Sequence, residues 1–279
     1  MSAAPVLVLG AGGWIGQAVR DVLARRGLGI LAPSRTEVDV ARPGDVGRVL
    51  AASGARAVLH LAARQPGSAA HELTRVNVEG ARAVAAAAAH ARVRLVHVSS
   101  DAIWDGRAAP YREDAPPSPL TPYGRSKAEG EAAVRAACPA AACVRTSLSF
   151  DPAVPDPTTL AFAERLRRGE ATHLFTDEVR CPLPRHVLAE ALVDLVDLPW
   201  AGPLHVAGRE ALTRHAFGSR LLEHFGVPGR GRVEAVAAAA LEARGAEPRP
   251  RDLTLCVAQA EALLGRTLPG ALACLRAGR

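Results

Sequence analysis

The sequence predicts an α/β fold: a Rossmann-type, doubly wound parallel sheet followed by a smaller C-terminal region. Two observations support this prediction. Short apolar runs alternate with helical patterns through the first half of the 279-residue chain, which is the arrangement of repeated strand–helix–strand units. A glycine-rich turn also joins the first apolar run to the first helical pattern, as it does in sheets that bind dinucleotides.

Five short apolar runs are predicted to form the strands, because each is bounded by polar or turn-forming residues. The predicted strands span residues 6–9, 28–32, 57–61, 95–98 and 142–144. The predicted helices lie between them and span residues 13–26, 43–52, 69–90 and 122–137. Strands that alternate with helices in this way pair in parallel, with the helices on the faces of the sheet.

The pattern changes after Phe150, where prolines and aspartates in residues 151–157 break regular structure. Beyond this break we predict shorter elements: helices over 158–168, 185–198 and 214–225, and an apolar segment at 203–207. We interpret residues 1–150 as a Rossmann domain. Residues 151–279 are interpreted as mainly a second, smaller region that packs over the carboxyl ends of the strands and is partly interleaved with the first.

The composition argues against several classes of protein. No stretch of 18 or more apolar residues occurs and no signal-peptide pattern is recognisable, so we expect neither a membrane span nor a signal peptide. Five cysteines in no metal or redox spacing indicate reduced thiols and a cytoplasmic location. The nine histidines form no H-x-x-H-type cluster, so no metal is expected.

The chain is basic, with a formal net charge of +6 and a pI near 9.6. A basic chain suggests a nucleic-acid binder, but the arginines are scattered and aromatic residues, at 4%, are too few for a stacking platform. We therefore expect no nucleic-acid partner. Anionic small ligands, such as a dinucleotide or a nucleotide sugar, suit the charge better.

Lys127 is the only lysine among the 34 cationic Lys and Arg residues. Arginine evidently serves wherever charge alone is needed. A compact ammonium differs from the broad, planar guanidinium, so a site that needs the former does not tolerate arginine. The composition thus indicates a specific role for Lys127.

The first strand leads into a turn with the spacing G-x-x-G-x-x-G, formed by Gly10, Gly13 and Gly16. Glycines permit the tight turn and let the backbone approach a pyrophosphate, and the following helix offers free N–H groups at its positive end. We therefore predict a dinucleotide site that also includes Trp14 and Ile15, between the last two glycines. The alternative, an ordinary tight turn, is less consistent with its place in the first strand–helix junction.

The second predicted strand ends near Ser34 and Arg35, where NAD-binding sites usually place an acidic residue. A hydroxyl and a guanidinium suit a 2′-phosphate, so NADP(H) is the preferred cofactor and NAD(H) a possible one. Two alternatives stay open: Arg35 is simply one of 33 surface arginines, or Glu37 takes the acidic role. Asp39 is predicted to reach the adenine. The small residues predicted to let the dinucleotide cross the strand ends are Leu61, Ala62 and Ala63.

Tyr123 and Lys127 form a Y-x-x-x-K pattern on the predicted helix over 122–137. Residues four apart share one face of a helix, so the phenol and the ammonium can face one cleft. A free tyrosine titrates near about 10, and a nearby ammonium stabilises its phenolate. The pair therefore suits proton transfer, whereas an accidental pair on a surface helix is the alternative.

Ser100 follows the predicted strand 95–98. A hydroxyl at the carboxyl end of a central strand can donate a hydrogen bond to a substrate carbonyl beside the tyrosine. Serine is also common in ordinary turns at strand ends. The downstream tyrosine and lysine favour the catalytic interpretation.

These motifs together resemble the extended short-chain dehydrogenase/reductase family. Within it, the chain is most similar to the dTDP-4-dehydrorhamnose reductase-like branch of sugar-nucleotide reductases. The resemblance covers nearly the whole length. The segments that show it are residues 10–16, 37–40, 76–80, 99–106, 123–127, 130–131, 144–147, 177–182 and 202–208.

The resemblance implies a reductase that passes hydride from a nicotinamide to a ketone carbon. The substrate that it favours is a 4-keto nucleotide sugar. It assigns the proton donor to Tyr123, a supporting hydroxyl to Ser100, and the nicotinamide ribose to Lys127. It also implies a cofactor contact at Val40. The substrate contacts that it implies are Asp101, Ala102, Leu148 and Arg180.

Two positions depart from the pattern of this branch. Ala102 stands where the branch usually has tyrosine, and Leu148 stands where it usually has tryptophan. Both positions line the sugar pocket in the family. A different nucleotide sugar or a smaller ketone is therefore an open alternative to dTDP-4-dehydrorhamnose.

Two other functions are alternatives to a reductase. One is an epimerase or dehydratase of the same family, which keeps NAD tightly bound; Arg35 argues against it. The other is a non-catalytic, NADP-binding regulatory subunit like the methionine adenosyltransferase β-subunit; the complete set of Ser100, Tyr123 and Lys127 argues against that. A homodimer is a possible assembly, since dimers are common in such families.

Overall fold

Strands and helices alternate along the chain in the computed structural model, which describes residues 4–42, 44–227 and 233–277. The strands are β1 (Val6–Leu9), β2 (Ile30–Leu31), β3 (Ala57–His60), β4 (Arg94–Val98), β5 (Ala142–Arg145), β6 (Ser149–Phe150), β7 (Thr172–Phe175), β8 (Val179–Arg180), β9 (Leu183–Pro184), β10 (Gly202–His205), β11 (Leu212–Thr213) and β12 (Val233–Val236).

Eleven α-helices are distributed along the described residues of the chain. They are α1 (Trp14–Arg25), α2 (Asp45–Ser53), α3 (Ala70–Leu73), α4 (Ala81–Ala91), α5 (Pro122–Ala137), α6 (Pro157–Arg167), α7 (Arg185–Asp197), α8 (Arg214–His224), α9 (Ala238–Glu242), α10 (Ala258–Leu264) and α11 (Ala271–Ala277). A π-helical stretch, Thr74–Gly80, joins α3 to α4, and a 3-10 turn, Asp101–Ile103, follows β4.

Six parallel strands form the central sheet in the order β10-β5-β4-β3-β1-β2. The chain places β2 on one side of β1 and β3 on the other, so the direction of winding reverses at β1. Ligands of such sheets bind outside the carboxyl ends of the strands at this reversal. The strand order therefore predicts a ligand site beside the turn that follows β1.

Alternate residues of β1 enter two separate cores, one on each face of the sheet. Val6 and Val8 pack with α1 and α7. Leu7 and Leu9 pack with α2, α4 and α5. Because both faces are covered, the central strands are apolar nearly throughout, as the sequence shows.

The α/β fold class is confirmed, and the predicted strands and helices of the first half are present with small shifts at their ends. The second strand is shorter than predicted, because only Ile30 and Leu31 pair with β1. The helix predicted over 43–52 is α2, and its predicted first residue, Pro43, lies outside the described residues.

The second half of the chain contributes to more than one layer. The apolar segment at 203–207, which we expected in the smaller region, forms most of β10 and pairs with β5 in the central sheet. The remaining strands form two-stranded pairs, namely β6 with β9, β8 with β11 and β7 with β12. None of the helices in the described ranges combines the length and hydropathy that crossing a bilayer requires.

Candidate active site

Helix α5 brings Tyr123 and Lys127 to the carboxyl end of β4. Thr121 caps the helix, since its Oγ1 accepts a hydrogen bond of 3.0 Å from the Gly124 N–H, and Pro122 occupies the first helical position. This start fixes the direction in which the first turn of the helix presents Tyr123. Lys127 follows one turn later on the same face.

Close backbone packing fixes α5 against the turn that contains the predicted serine. A Cβ atom on Gly124 would overlap the carbonyl oxygen of Ala102. Only glycine therefore allows the helix to lie this close to the 3-10 turn that Ser100 begins. The contact places the Tyr123 phenol beside the Ser100 hydroxyl, and Ala102 contributes its backbone to the contact.

The Tyr123 phenol holds its proton firmly. Burial raises the pKa of Tyr123 to about 12, and the charge of Asp101 acts in the same direction. A hydrogen bond with Ser100 opposes this rise. At neutral pH the site therefore offers a protonated phenol, which is the form that donates a proton to a substrate oxygen.

Lys127 is buried in the same site, with 3% of its surface exposed. Its Nζ donates a hydrogen bond of 2.8 Å to the carbonyl oxygen of Val98, the last residue of β4. Burial lowers the pKa of Lys127 to about 8, while Glu131 and Cys143 act in the opposite direction. The ammonium is charged at neutral pH, and its position is set by the end of the strand.

An ion pair that sequence reasoning did not assign lies one turn beyond Lys127. Arg145 contacts both carboxylate oxygens of Glu131, at 2.7 Å through Nη2 and 3.0 Å through Nε, and both side chains are almost fully buried. A bidentate pair of this kind compensates the carboxylate charge. Lys127 therefore keeps its hydrogen bond to Val98 and forms no ion pair with a described residue.

Asp101, which is predicted to contact substrate, lies beside Ser100, and Arg180, predicted to do the same, lies next to Asp101. The Asp101 carboxylate accepts hydrogen bonds from Ser147 at 2.6 Å and Ser100 at 3.3 Å, and Arg180 Nε lies 3.9 Å from it. Burial raises the pKa of Asp101, and Arg180 opposes that rise most strongly. Leu148, the fourth predicted substrate contact, is half-buried against an apolar cluster that includes Phe217 of α8.

The glycine turn after β1 packs its backbone against the end of β3. Gly10 has a φ of +90°, and a Cβ on it would lie 2.7 Å from the Ala62 nitrogen. A Cβ on Gly16 would overlap the carbonyl oxygen of Gly10. Gly13 donates a hydrogen bond of 3.0 Å to that same carbonyl. Leu61 and Ala62 therefore face the turn at close range, as a cradle for a dinucleotide requires, and Ala63 follows them in the chain.

The first turn of α1 is suited to an anion. It has no acidic residue, and no side chain caps its free N–H groups. Residues of this turn, including Trp14 and Ile15, are therefore placed where the pyrophosphate of a dinucleotide binds in such folds. The residues present fit the predicted cofactor.

Trp14 is held from the side by a residue of the second half of the chain. The Arg185 guanidinium stacks over the indole at 3.9 Å from the ring centroid, and Asp151 holds that guanidinium at 2.6 Å. Nothing in the sequence connects these positions, which are far apart in the chain. The stack fixes the outer wall of the glycine turn.

After β2, the two carboxylates that could bind a ribose are hydrogen-bonded or ion-paired within the protein, whereas the nearby arginine has no carboxylate partner among the described residues. Glu37 accepts hydrogen bonds of 2.7 Å from both the N–H and the hydroxyl of Ser34, which lower its pKa. Asp39 pairs with Arg75 at 3.0 Å. Arg35 is exposed, and no described carboxylate lies within ion-pair distance of it. Val40 is buried beside Gly80.

Asn77 ties the loop after β3 to the helix that carries Tyr123. Its Oδ1 accepts a hydrogen bond of 2.8 Å from the Arg64 N–H, and its Nδ2 donates to the Arg64 carbonyl at 3.1 Å. Nδ2 also donates to the hydroxyl of Ser126 at 2.9 Å. One buried amide thus fixes this loop relative to α5, the helix that carries Tyr123 and Lys127.

Two histidines form a buried pair inside the sheet, which sequence reasoning missed. His60 of β3 and His97 of β4 are paired in register, and their Nδ1 atoms lie 3.2 Å apart. Burial lowers the pKa of His60 to about 3 and that of His97 well below its ordinary value, and the charge of Lys127 adds to both effects. Within the described ranges, no three His, Cys, Asp or Glu side chains are arranged to hold a metal ion.

Comparison with known proteins gives matches over most of the chain. A model of the RmlD substrate binding domain matches residues 4–270. The dTDP-4-dehydrorhamnose reductase of Mycobacterium tuberculosis strain H37Rv is 31% identical over 261 residues, which cover 88% of this chain and 82% of the relative. The probable low-salt glycan biosynthesis reductase Agl14 of Haloferax volcanii is 31% identical over 70% of this chain and 66% of the relative.

Solved structures show the same fold. The dTDP-4-dehydrorhamnose reductase of Bacillus anthracis, in complex with NADP, superposes with a TM-score of 0.87 at 22% identity, over 99% of this chain and 98% of that one. The Bordetella bronchiseptica enzyme WbmG, in complex with NAD and UDP, superposes with a TM-score of 0.79 at 21% identity, over 98% and 94%. The methionine adenosyltransferase 2 subunit beta of Danio rerio is also similar in sequence, with 28% identity over 48% of this chain and 44% of that protein.

Proposed function

The chain belongs to the RmlD substrate binding domain family, and from this premise we propose that it is an NADPH-dependent reductase of a ketone in a nucleotide sugar. One observation supports the proposal above the others. Ser100, Tyr123 and Lys127 meet at the carboxyl end of β4, on the side of the sheet where the glycine turn opens.

Each of these residues has a distinct task in the proposed reaction. A bound nicotinamide supplies hydride to the carbonyl carbon. Tyr123 donates its proton to the carbonyl oxygen, which its raised pKa permits because the phenol is protonated at neutral pH. Ser100 hydrogen-bonds the same oxygen and orients it. Lys127 places a positive charge where the phenolate forms and stabilises it.

We propose NADP(H) as the preferred cofactor and NAD(H) as a possible one. Arg35 is exposed and unpaired among the described residues, whereas Glu37 is bound by Ser34 and Asp39 by Arg75. A guanidinium without a carboxylate partner suits the 2′-phosphate, and an engaged carboxylate is less able to bind a 2′-hydroxyl. Comparing NADPH with NADH as electron donors tests this preference.

We propose a 4-keto nucleotide sugar as the substrate class. The relatives named for their reactions act on dTDP-linked sugars, and one structural neighbour binds UDP. Ala102 and Leu148 replace the two aromatic residues that this branch usually has in the sugar pocket. These two changes make room for a nucleotide sugar other than dTDP-4-dehydrorhamnose.

The test of the function is the substitution Tyr123→Phe, with NADPH oxidation measured against a panel of 4-keto nucleotide sugars. Removing the proton donor should lower turnover by about 10²- to 10⁴-fold. Tyr111→Phe is the matched control, since Tyr111 is the only other tyrosine and hydrogen-bonds Asp105 and Gly106 instead. That variant should keep its turnover.

The result against the proposal is equal turnover by wild type and Tyr123→Phe. Purified protein that carries stoichiometric NAD and ignores added NADPH would instead favour an epimerase or dehydratase. Protein that binds NADP(H), reduces no ketone and co-purifies with one partner would favour a regulatory subunit.

We further propose that residues 151–279 are mainly a substrate-binding region, partly interleaved with the first, and that the protein acts in the cytoplasm. All five cysteines are free thiols, which suits a reducing compartment. A homodimer stays a prediction, which sedimentation measurements can check.

A further inference from the structure

Arg214 is a cation without a partner at the edge of the proposed substrate site. It is the first residue of α8 and directly follows β11, which pairs with β8 so that Leu212 lies opposite Arg180. Among the described residues, no carboxylate lies within ion-pair distance of its guanidinium and no side-chain hydrogen bond is formed. The residues outside the described ranges contain no Asp or Glu.

The acidic groups nearest to Arg214 are already engaged by other arginines. Glu178 is almost fully buried and pairs with Arg249 and, at 3.8 Å, with Arg180. Asp101 accepts the Ser147 hydroxyl and lies 3.9 Å from Arg180. Three arginines therefore share two carboxylates, so one positive charge is left without compensation.

Several effects make this position unfavourable for a free cation. Burial lowers the pKa of Arg214, and the neighbouring charge of Arg180 lowers it further, although Glu178 acts in the opposite direction. The residue also occupies the positive end of a helix dipole, where cations are disfavoured. Arg214 is partly buried, and a charge taken out of water is costly unless it is paired, so such a site is stabilised when an anion binds.

Arg180 and Arg214 lie on the side of the sheet where the substrate is proposed to bind. Arg180 contacts Asp101, and Asp101 contacts Ser100, so Arg180 is separated from the Ser100 hydroxyl by one side chain. The helix that Arg214 begins also packs against Leu148. The pair is thus next to the positions where this chain lacks the aromatic residues of its branch.

We propose that Arg180 and Arg214 together bind an anionic oxygen group of the substrate, either its diphosphate or a carboxylate on its sugar. The proposal rests on the proposed function, because it takes the substrate to be a nucleotide sugar that reaches Ser100 and Tyr123. Arg180 and Arg214 lie on neighbouring segments of the fold, and two guanidinium groups that reach one anion suit a group with several acceptor oxygens. Arg214 is then a residue that determines specificity, and a neutral ketone should bind weakly.

Binding measurements on the NADP-loaded protein test this without requiring turnover. The probes are dTDP, UDP, UDP-glucose and UDP-glucuronic acid, with calorimetry on wild type, Arg214→Gln and Arg214→Lys. Arg220→Gln is the matched control, since it removes one exposed positive charge from the same helix. If the pair binds the diphosphate, Arg214→Gln should weaken the nucleoside diphosphates by about 10- to 100-fold, with partial recovery in Arg214→Lys.

If the pair binds a sugar carboxylate instead, Arg214→Gln should leave UDP binding unchanged and abolish the preference for UDP-glucuronic acid over UDP-glucose. Either pattern supports the proposal and identifies the anionic group. A wild-type protein that binds none of the four probes overturns it, as does an Arg214→Gln protein that binds them as the wild type does. Retained NADP affinity in Arg214→Gln shows that its fold and cofactor site are intact. Tyr123→Phe should keep anion binding even where turnover is lost, which separates this proposal from the proposed function.

Discussion

Lys127 shows how one side chain is matched to its surroundings. Taking an ammonium out of water disfavours its charged form, and this is why its pKa falls to about 8 rather than staying near 10.5. The bond to the Val98 carbonyl holds the group in one place, and the Arg145–Glu131 pair compensates the nearest carboxylate. The result is a compact charge that is still present at neutral pH.

The rate of ketone reduction should therefore fall as pH rises through about 8. Lys127 carries its charge below that pKa and loses it above. In the proposed reaction this charge stabilises the phenolate that forms at Tyr123, so its loss should slow the reaction. The pKa of Tyr123 is about 12, so the phenol itself keeps its proton across this range. The measurement is the pH profile of kcat/KM with NADPH and a ketone substrate.

Two variants separate this cause from others. Lys127→Met should lower the rate and flatten the profile around pH 8. Lys127→Arg should fail to restore the rate, because the broad guanidinium does not fit a site in which only 3% of the lysine is exposed. A wild-type profile that is level between pH 7 and 9.5 would contradict the assignment of Lys127.

Some residues of the site could be found from sequence alone and others could not. Lys127 is conspicuous because it is the only lysine, and the glycines and Tyr123 have characteristic spacings. Arg214 is one of 33 arginines, and it differs from the rest only in the charges that folding places around it. Tertiary contacts between distant segments decide such cases, and local patterns do not contain them.

Helix α5 is the element that carries the site, and it does so by packing its backbone against two carbonyl groups. A Cβ on Gly124 would meet the carbonyl of Ala102, and a Cβ on Gly130 would meet that of Asn77. The helix is therefore held close both to the turn at Ser100 and to the helical segment that contains Asn77. This close contact explains why two glycines are present in a 16-residue helix.

Gly124→Ala should reduce both activity and stability. The added methyl group can be accommodated only if α5 moves away from the turn at Ala102, and overpacking of this kind costs about 1–3 kcal/mol. The shift also separates Tyr123 from Ser100, so turnover should fall even where the protein remains folded. Urea unfolding and steady-state kinetics measure the two effects.

Gly47→Ala is the control for this substitution. Gly47 lies within α2, and no atom lies within 4 Å of the place where its Cβ would be. Alanine there should raise the free energy of unfolding by about 0.5–1 kcal/mol and leave turnover unchanged. If both alanine variants gain stability, the close approach of α5 to Ala102 is wrong.

Sequence patterns predicted long elements better than short ones. Helix α5 was predicted with its observed ends, because Thr121 and Pro122 mark its start. The two-residue strands β6, β8, β9 and β11 were not predicted, because two residues show no periodicity and their pairing depends on distant partners. The pairing of β10 with β5 was also missed, because it joins segments that are far apart in the chain.

At the scale of the whole molecule, buried histidines should make the protein sensitive to acid. Burial lowers the pKa of His60 and His205 to about 3 and that of His97 well below 6.5. In the unfolded chain these groups bind protons near pH 6.5, so the unfolded state binds more protons below that pH. The free energy of unfolding should therefore fall by up to about 4 kcal/mol for each pH unit below 6.5.

Urea unfolding at pH 7, 6 and 5 measures this dependence. His97→Gln should reduce the slope of the free energy of unfolding against pH by the contribution of about one proton. His90→Gln, at an exposed position of α4, should leave this slope unchanged. Equal stability at pH 7 and pH 5 would contradict neutral histidines in the folded sheet.

The late position of β10 in the chain also bears on how the protein is made. During synthesis, β5 leaves the ribosome long before β10, so one edge of the growing sheet stays open while α6 and α7 are still being added. An open strand edge can pair with another nascent chain. Slow translation between β5 and β10 would therefore prolong exposure of this edge, and a chaperone that shields it would matter most in that interval.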